Sequence, residues 1–206
     1  MLAAKRLYGL CVLNFIITSN HIHLLISDQG NARNNGDSHI SRSLQLAEAR
    51  VAQDYNRRKD RSGAFWEDRY HATAVETGEH FVNCLTYIDL NMVRADVVNH
   101  PGEWPFGGYY ELQETRQRFR NQLVDWRTLL SLLGMRDLQQ LREARTKWVD
   151  EECRSGRLER DPKWTESVAV GGKQYVERIV KKLGGKAIGI DVQQDGETYT
   201  LREAGG

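Results

Sequence analysis

Apolar residues near the start of the chain form two short runs that are separated by a polar turn. The runs cover Tyr8 to Ile17 and His21 to Ser27, and the turn is Thr18-Ser19-Asn20. Apolar runs of this length next to turn residues predict two strands that pair as a β-hairpin. Side chains alternate between the two faces of a strand, so His21 and His23 are expected to share one face.

Helical periodicity replaces this pattern after a polar loop at residues 28–37. Ser38 or Ser41 can cap a first helix. Its apolar stripe has spacings of three and four residues and consists of Ile40, Leu44, Ala47, Val51 and Tyr55. Thr77 can cap a second helix, whose predicted core face consists of Phe81, Leu85, Ile88 and Met92. Between the helices, the aromatic-rich stretch from Phe65 to Val75 predicts a third strand.

The sequence of the second half of the chain predicts mainly helices, followed by a terminal hairpin. Asp125 and Asp137 are the predicted caps of its first two helices. The predicted elements are helices at 126–133, 138–153 and 174–183 and a hairpin of 187–191 with 198–201. Pro101 and Pro105 interrupt regular structure before this half. We therefore predict two parts, a core over 1–108 and a mainly helical C-terminal extension over 109–206.

Composition narrows the class of protein. The chain has 206 residues, a net charge of +1 and 40% hydrophobic residues, enough for a core. No apolar run approaches about 18 residues, so we expect no membrane-spanning helix. Three cysteines are far apart and odd in number, which favours reduced thiols in the cytoplasm over a disulfide framework or a cysteine-based zinc site. The small net charge leaves nucleic-acid binding open, because a local basic stripe is sufficient.

Two groups of side chains suggest chemistry on phosphate. The imidazoles of His21 and His23 suit a divalent metal, although such a pair also occurs by chance. On one face of the second predicted helix, Tyr87 precedes Asn91 by four residues. Two imidazoles and an amide oxygen leave open positions, which suits Mg²⁺ or Mn²⁺ acting on phosphate. A tyrosine oxygen can attack phosphorus once a metal or a base helps to remove its proton, and the sequence allows either.

Basic residues offer candidate contacts to nucleic acid. One cluster ends the first predicted helix, where cations either complement the helix dipole or contact phosphates, and both interpretations stay open. A second cluster lies between Arg116 and Arg120. The candidate contacts are Arg57, Arg58, Lys59, Arg61, Arg69 and Arg94.

Several motifs, in the same order, resemble one family. Ser-Asn-His-Ile-His-Leu-Leu at 19–25 resembles the HUH motif of the single-tyrosine (Y1) transposases of the IS200/IS605 type. Tyr-Ile-Asp-Leu-Asn-Met-Val-Arg-Ala at 87–95 resembles the catalytic-tyrosine helix of the REP-associated tyrosine transposase branch, in which proline replaces Met92. The stretches at 65–70 and 104–106 also look like that branch. The resemblance spans nearly the whole chain.

The resemblance implies a role for each candidate residue. His21, His23 and Asn91 would ligate Mg²⁺ or Mn²⁺, and Tyr87 would form a 5′-phosphotyrosine link on single-stranded DNA. The DNA partner would carry hairpins or palindromic repeats, and the protein would be a monomer or homodimer in the cytoplasm, associated with the nucleoid when bound. The implied fold is α+β, with a ferredoxin-like HUH core whose antiparallel sheet has helices on one face.

One departure from the family changes these expectations. Members usually begin with a further strand and helix, whereas only Met1 to Leu7 precede the first predicted strand here. We therefore expect a core that lacks its first strand and exposes a sheet edge. Two functions follow, namely an active enzyme of DNA transposition or an inactive or domesticated remnant that binds DNA hairpins. A structural or zinc-binding domain with chance motifs is the third possibility.

Overall fold

The structure, a computed structural model, describes residues 1–28, 39–114, 122–156, 158–187 and 189–203, and these form a mixed α+β fold. The helices are α1 (Leu2–Tyr8), α2 (His39–Lys59), α3 (Glu79–Asp89), α4 (Asn91–Arg94), α5 (Gly108–Gln113), α6 (Trp126–Leu133), α7 (Leu138–Ser155), α8 (Lys163–Glu166) and α9 (Lys173–Leu183). The strands are β1 (Cys11–Ile17), β2 (Ile22–Ser27), β3 (Ala74–Val75), β4 (Ser167–Gly171), β5 (Ile190–Asp195) and β6 (Thr198–Glu203). Within these described ranges, no helix is long and apolar enough to cross a membrane.

The predicted N-terminal hairpin is confirmed. Strands β1 and β2 pair antiparallel, with His23 opposite Ile16. The predicted start of the first strand at Tyr8 is wrong, because this residue ends α1 and the strand begins at Cys11. Gly9 separates the two elements with φ of 70°, a left-handed conformation that glycine adopts without strain.

The expected exposed edge is not found on β1. Six of the seven residues of this strand are buried. Its edge opposite β2 meets irregular backbone from later in the chain, through bridges that join Val12 to Val124 and Ile16 to Gly107. Main chain from both sides of the predicted boundary at residue 108 therefore meets this edge of the hairpin.

A second sheet has the strand order β3-β4-β6-β5. Strand β3 runs parallel to β4, and the other pairs are antiparallel. Helix α9 covers the sheet, with Val176 packing against Ala169 and Leu201 in a small buried cluster. Helix α9 and the terminal hairpin are confirmed, but the predicted bounds 187–191 of the first hairpin strand are wrong, because this strand covers Ile190–Asp195. The sequence interpretation also missed β4, whose five residues are Ser-Val-Ala-Val-Gly.

The predicted strand from Phe65 to Val75 is wrong except for its last two residues. Ala74 and Val75 form β3, which pairs with β4 and not with the N-terminal hairpin. The aromatic residues before them pack on α2 instead. The indole nitrogen of Trp66 donates to the carbonyl of Glu48 at 3.0 Å, and the rings of Phe65 and Tyr55 lie 4.8 Å apart.

Helix boundaries follow the predicted caps in the second half. The carboxylates of Asp125 and Asp137 accept hydrogen bonds from the main chain at the starts of α6 and α7, at 3.1 and 2.8 Å. Residue Gly78, and not Thr77, precedes α3. Helix α2 forms as predicted, but of its predicted stripe only Leu44 is buried, while Val51 is 41% exposed.

Several contacts cross the predicted boundary at residue 108. Strand β3 precedes this boundary and β4 follows it, yet the two strands pair. Helix α7 packs against α3 in the same way. The segment after 108 is also not only helical, since it supplies β4, β5 and β6. The division into a core and an extension remains a prediction.

A buried polar cluster ties three distant elements together. Asn14 on β1, Asp89 at the end of α3 and Arg145 on α7 are 0%, 4% and 2% exposed. Arg145 donates through Nη2 and Nε to the Asp89 carboxylate, at 2.5 and 3.2 Å. The Asn14 amide donates to the same carboxylate at 2.8 Å and accepts from Arg145 at 3.1 Å. Asn14 also donates to the carbonyl of Leu85 at 3.1 Å, so the cluster joins β1 to α3 through two bonds of one side chain.

We expect Asp89→Ala to lower the free energy of unfolding by about 3–5 kcal/mol, because it leaves the Arg145 charge buried without its partner. Urea unfolding followed by circular dichroism measures this change. Arg57→Ala is the control, since the Arg57–Asp54 ion pair is largely exposed. It should cost less than about 1 kcal/mol. Equal losses in the two variants would contradict the role of the buried cluster.

Two adjacent glycines provide a second test of packing at this cluster. A Cβ atom at Gly108 would lie 2.3 Å from the amide oxygen of buried Asn14, whereas one at Gly107 would meet nothing closer than 3.7 Å. Gly108→Ala should therefore destabilise the protein by about 1–3 kcal/mol, as overpacking does. Gly107→Ala should leave the unfolding midpoint nearly unchanged, and the prediction fails if the two variants unfold alike.

Candidate active site

The two histidines of the HUH-like motif lie side by side at the start of β2. Their rings are parallel within 5°, with centroids 6.3 Å apart. The preceding turn fixes the main chain at this point, because His21 and Thr18 exchange hydrogen bonds of 2.9 and 3.0 Å. His21 is exposed and His23 is partly buried. The pair therefore sits on a defined strand end that solvent reaches from one side.

Tyr87 lies in the last turn of α3 and is held by Arg94. The guanidinium carbon of Arg94 is 3.8 Å from the centroid of the tyrosine ring, a close cation–π contact. Its Nη2 also donates to the main-chain carbonyl of Tyr87 at 2.6 Å. Leu90 separates α3 from α4, so the continuous helical face predicted through Tyr87 and Asn91 is divided between two successive helices. The Arg94 side chain, on α4, therefore reaches back along the chain and contacts both the ring and the backbone of Tyr87.

Electrostatics connect the tyrosine and histidine groups. Burial, followed by the positive charges of His21, Arg94 and Arg160, lowers the pKa of His23 from its usual value of 6.5. Burial also lowers the pKa of Arg94 from its usual value, while Tyr87, Asp161 and Glu152 act in the opposite direction. These effects favour the neutral form of His23, and neutral imidazole is the form that binds metal.

Residues 159–166, which lie between α7 and β4, border the site next to Tyr87. The sequence did not predict this position. Trp164 lies 6.1 Å from Tyr87, measured between ring centroids. The ammonium of Lys163 lies 5.2 Å from the centroid of the Trp164 ring and pairs with Asp161 at 2.6 Å. The one available signal was a tryptophan among closely spaced charges at residues 159–166. Only the tertiary structure shows that these residues lie next to Tyr87.

The donor set partly fits the predicted metal. Two neighbouring imidazoles together with an amide and water oxygens are suitable ligands for Mn²⁺ and, less specifically, for Mg²⁺. Asn91 opens α4 and is partly buried, on a different element from the two histidines. The described ranges contain no group of three or more His, Cys, Asp and Glu side chains that could hold a metal. The role of Asn91 as third ligand stays a prediction.

The predicted cationic contacts are distributed over the surface. Arg57 pairs with Asp54 at 2.6 Å, and Arg58 donates to the carbonyl of the same aspartate at 3.3 Å. Arg61 donates to the carbonyl of Ala64 at 3.0 Å. Three of these cations thus stabilise the end of α2 and the loop after it, although all remain exposed. Two further exposed candidates are Lys59 and Arg69.

The cluster between Arg116 and Arg120 lies outside the described residues. Of the candidates for nucleic-acid contact, Arg94 is the one that the structure places against Tyr87.

Comparison of the chain with protein-family models, with curated proteins and with solved structures finds no match. The candidate site combines a tyrosine that stacks on Arg94, a histidine pair on which the charge of Arg94 acts, and a neighbouring tryptophan.

The pKa of His23 tests the proximity of Arg94. In metal-free buffer, NMR titration should place the pKa of His23 below 6.5, and Arg94→Gln should raise it because one positive charge is removed. Since the unfolded chain then binds a proton that the folded chain does not, the contribution of this residue to stability declines as the pH falls below 6.5. Arg57→Gln serves as the control and should not move the titration. A wild-type pKa above 6.5 would contradict the arrangement.

Proposed function

We propose that the protein cleaves and rejoins single-stranded DNA through a covalent link to Tyr87, as a transposase of IS200-like or REP-type elements. The observation that carries this proposal is the position of Arg94, which stacks on Tyr87 and acts electrostatically on His23. A potential nucleophile, a cation for phosphate and an imidazole pair thereby occupy one region. Such a combination suits transfer of a phosphodiester to an enzyme side chain.

The proposed reaction is a pair of transesterifications. The phenolic oxygen of Tyr87 loses its proton and attacks the phosphorus of the scissile phosphodiester. The bond from phosphorus to the 3′ oxygen breaks, and this oxygen takes up a proton to leave a 3′-hydroxyl. The products are that hydroxyl and a 5′-phosphotyrosine on Tyr87. Attack by the 3′-hydroxyl of another strand reverses the step, releases Tyr87 and joins the two strands.

Each residue of the site would have a separate role in this reaction. Arg94 can hold the ring of Tyr87 and oppose the negative charge that develops on the phosphate. His21 and His23, with Asn91 as the predicted third ligand, would hold Mg²⁺ or Mn²⁺. When bound, such an ion stabilises negative charge on the phosphate oxygens. The turn at Thr18 keeps the first histidine in place during the reaction.

Binding of DNA hairpins without cleavage is the second candidate function. It is favoured by the division of Tyr87 and Asn91 between two successive helices, α3 and α4. A site without a complete set of ligands can still attract phosphates through Arg94 and the neighbouring cations.

The two candidate functions are distinguished by one product, a covalent protein–DNA adduct. Incubation with a hairpin-bearing single-stranded oligonucleotide and Mn²⁺ or Mg²⁺ should give a covalent protein–DNA adduct that survives denaturing electrophoresis. Tyr87→Phe should abolish the adduct, because it removes the attacking oxygen. Tyr110→Phe is a matched control on α5 and should leave the adduct unchanged. An adduct that persists in Tyr87→Phe would assign the chemistry to another residue.

The histidine variants separate metal binding from DNA binding. His21→Ala and His23→Ala should lower adduct formation at least about tenfold while the affinity for the oligonucleotide is retained, as expected for lost metal ligands. A chelator should do the same to the wild type. Binding without any adduct in either metal would support the second candidate, and absence of both would contradict both.

A further inference from the structure

The segment from Arg160 to Glu166 is anchored beside Tyr87 by its tryptophan. Trp164 packs on the main core cluster and lies 6.1 Å from the Tyr87 ring. The next strand fixes its other end, because β4 begins directly after Glu166 and pairs with β3 and β6. The charged side chains of this segment are therefore held at the edge of the candidate site, although the segment belongs to the later part of the chain.

One of these charges is exposed and weakly paired. Arg160 donates to the carboxylate of Glu166 at 3.0 Å, and the two side chains are 71% and 50% exposed. An ion pair in this much solvent contributes little to stability and is easily exchanged for another anion. Arg94, by contrast, is partly buried and already committed to Tyr87. Arg160 is thus the more available guanidinium at the site.

The position of Arg160 follows from two contacts of its segment. Arg160 is four residues before Trp164, which lies 6.1 Å from the Tyr87 ring, and its ion pair with Glu166 joins it to the residues just after that tryptophan. A strand bound at Tyr87 would therefore pass close to this guanidinium. Guanidinium suits phosphate because its fork of N–H donors can contact two oxygens at once.

We propose that Arg160 is a DNA-contacting residue that exchanges Glu166 for a phosphate of the bound strand. In the protein without DNA, Glu166 holds the guanidinium at the edge of the site. When the strand arrives, a phosphate next to the one attacked by Tyr87 takes the place of this carboxylate. The proposal rests on the proposed function for its ligand, single-stranded DNA, but not on the covalent step.

The two partners of this pair should have opposite effects on binding. Affinity is measured with a labelled hairpin-bearing single-stranded oligonucleotide, at several salt concentrations, in full-length Tyr87→Phe protein so that no adduct forms. Arg160→Ala should weaken binding and reduce the slope of log K against log salt by about 0.7, the value for one phosphate contact on a single strand. Glu166→Gln should strengthen binding, by up to about fivefold, because the competing carboxylate is removed.

A second exposed pair serves as the matched control. Lys147 and Glu151 on α7 are 72% and 52% exposed, close to the values of the tested pair. Lys147→Ala and Glu151→Gln should change neither the affinity nor the salt slope beyond the small effect of net charge. If Arg160→Ala and Glu166→Gln change binding in the same direction, or behave like the control pair, the proposal is overturned.

The outcomes also separate this proposal from the proposed function. If wild type forms the adduct while both variants bind like their parent, the role of Arg160 fails and the Tyr87 chemistry stands. If no adduct forms while the variants shift binding in opposite directions, the chemistry fails and the role of Arg160 stands. If wild type forms no adduct and the Tyr87→Phe protein binds no single-stranded DNA, both are overturned.

Discussion

The buried cluster of Asn14, Asp89 and Arg145 is the constraint on which the rest of the structure depends. Removing an arginine and an aspartate from water costs several kcal/mol for each ion, and only close pairing offsets that cost. The pair is almost completely enclosed, and among the described residues Arg145 Nη1 has no hydrogen-bond partner. The cluster therefore specifies how β1, α3 and α7 meet more than it adds to stability. A shift of any one element would leave a charge or an amide buried without its partners.

This cluster fixes the positions of the elements that carry the candidate site. Asp89 is the last residue of α3 and lies two positions after Tyr87, so the ion pair fixes the helix end that carries the tyrosine. The helix breaks immediately afterwards, and α4 brings Arg94 back over the Tyr87 ring. Asn14 fixes the same helix end to β1, which pairs with the strand of His23. The positions of the tyrosine and of the histidine pair thus share one buried anchor.

Local signals predicted local structure well and long-range partners poorly. The capping carboxylates of Asp125 and Asp137 and the apolar face of α3 were readable because their contacts lie within a few residues. Strand β4 was missed because its five residues carry no local pattern, and its identity depends on β3 and β6. Residue Arg145 resembled one of many charges on a polar helix, and its burial depends on Asp89, 56 positions away. The contact of Trp164 with Tyr87 was not predicted for the same reason. The pairing of the two histidines was predictable, because it follows from the alternation of side chains along a strand.

The charges around Tyr87 link the two predicted ligands of the site. Arg94 and Arg160 favour a neutral His23, which leaves its imidazole ready to bind a metal, yet the same charges repel a cation. Phosphate groups reverse this balance, because they neutralise the guanidinium charges and supply oxygens that hard cations prefer. Under the proposed function, the bound strand and the ion therefore assist each other, and neither is expected to bind as well alone. This coupling would confine phosphate activation to the complex with DNA, where Tyr87 has a phosphodiester to attack.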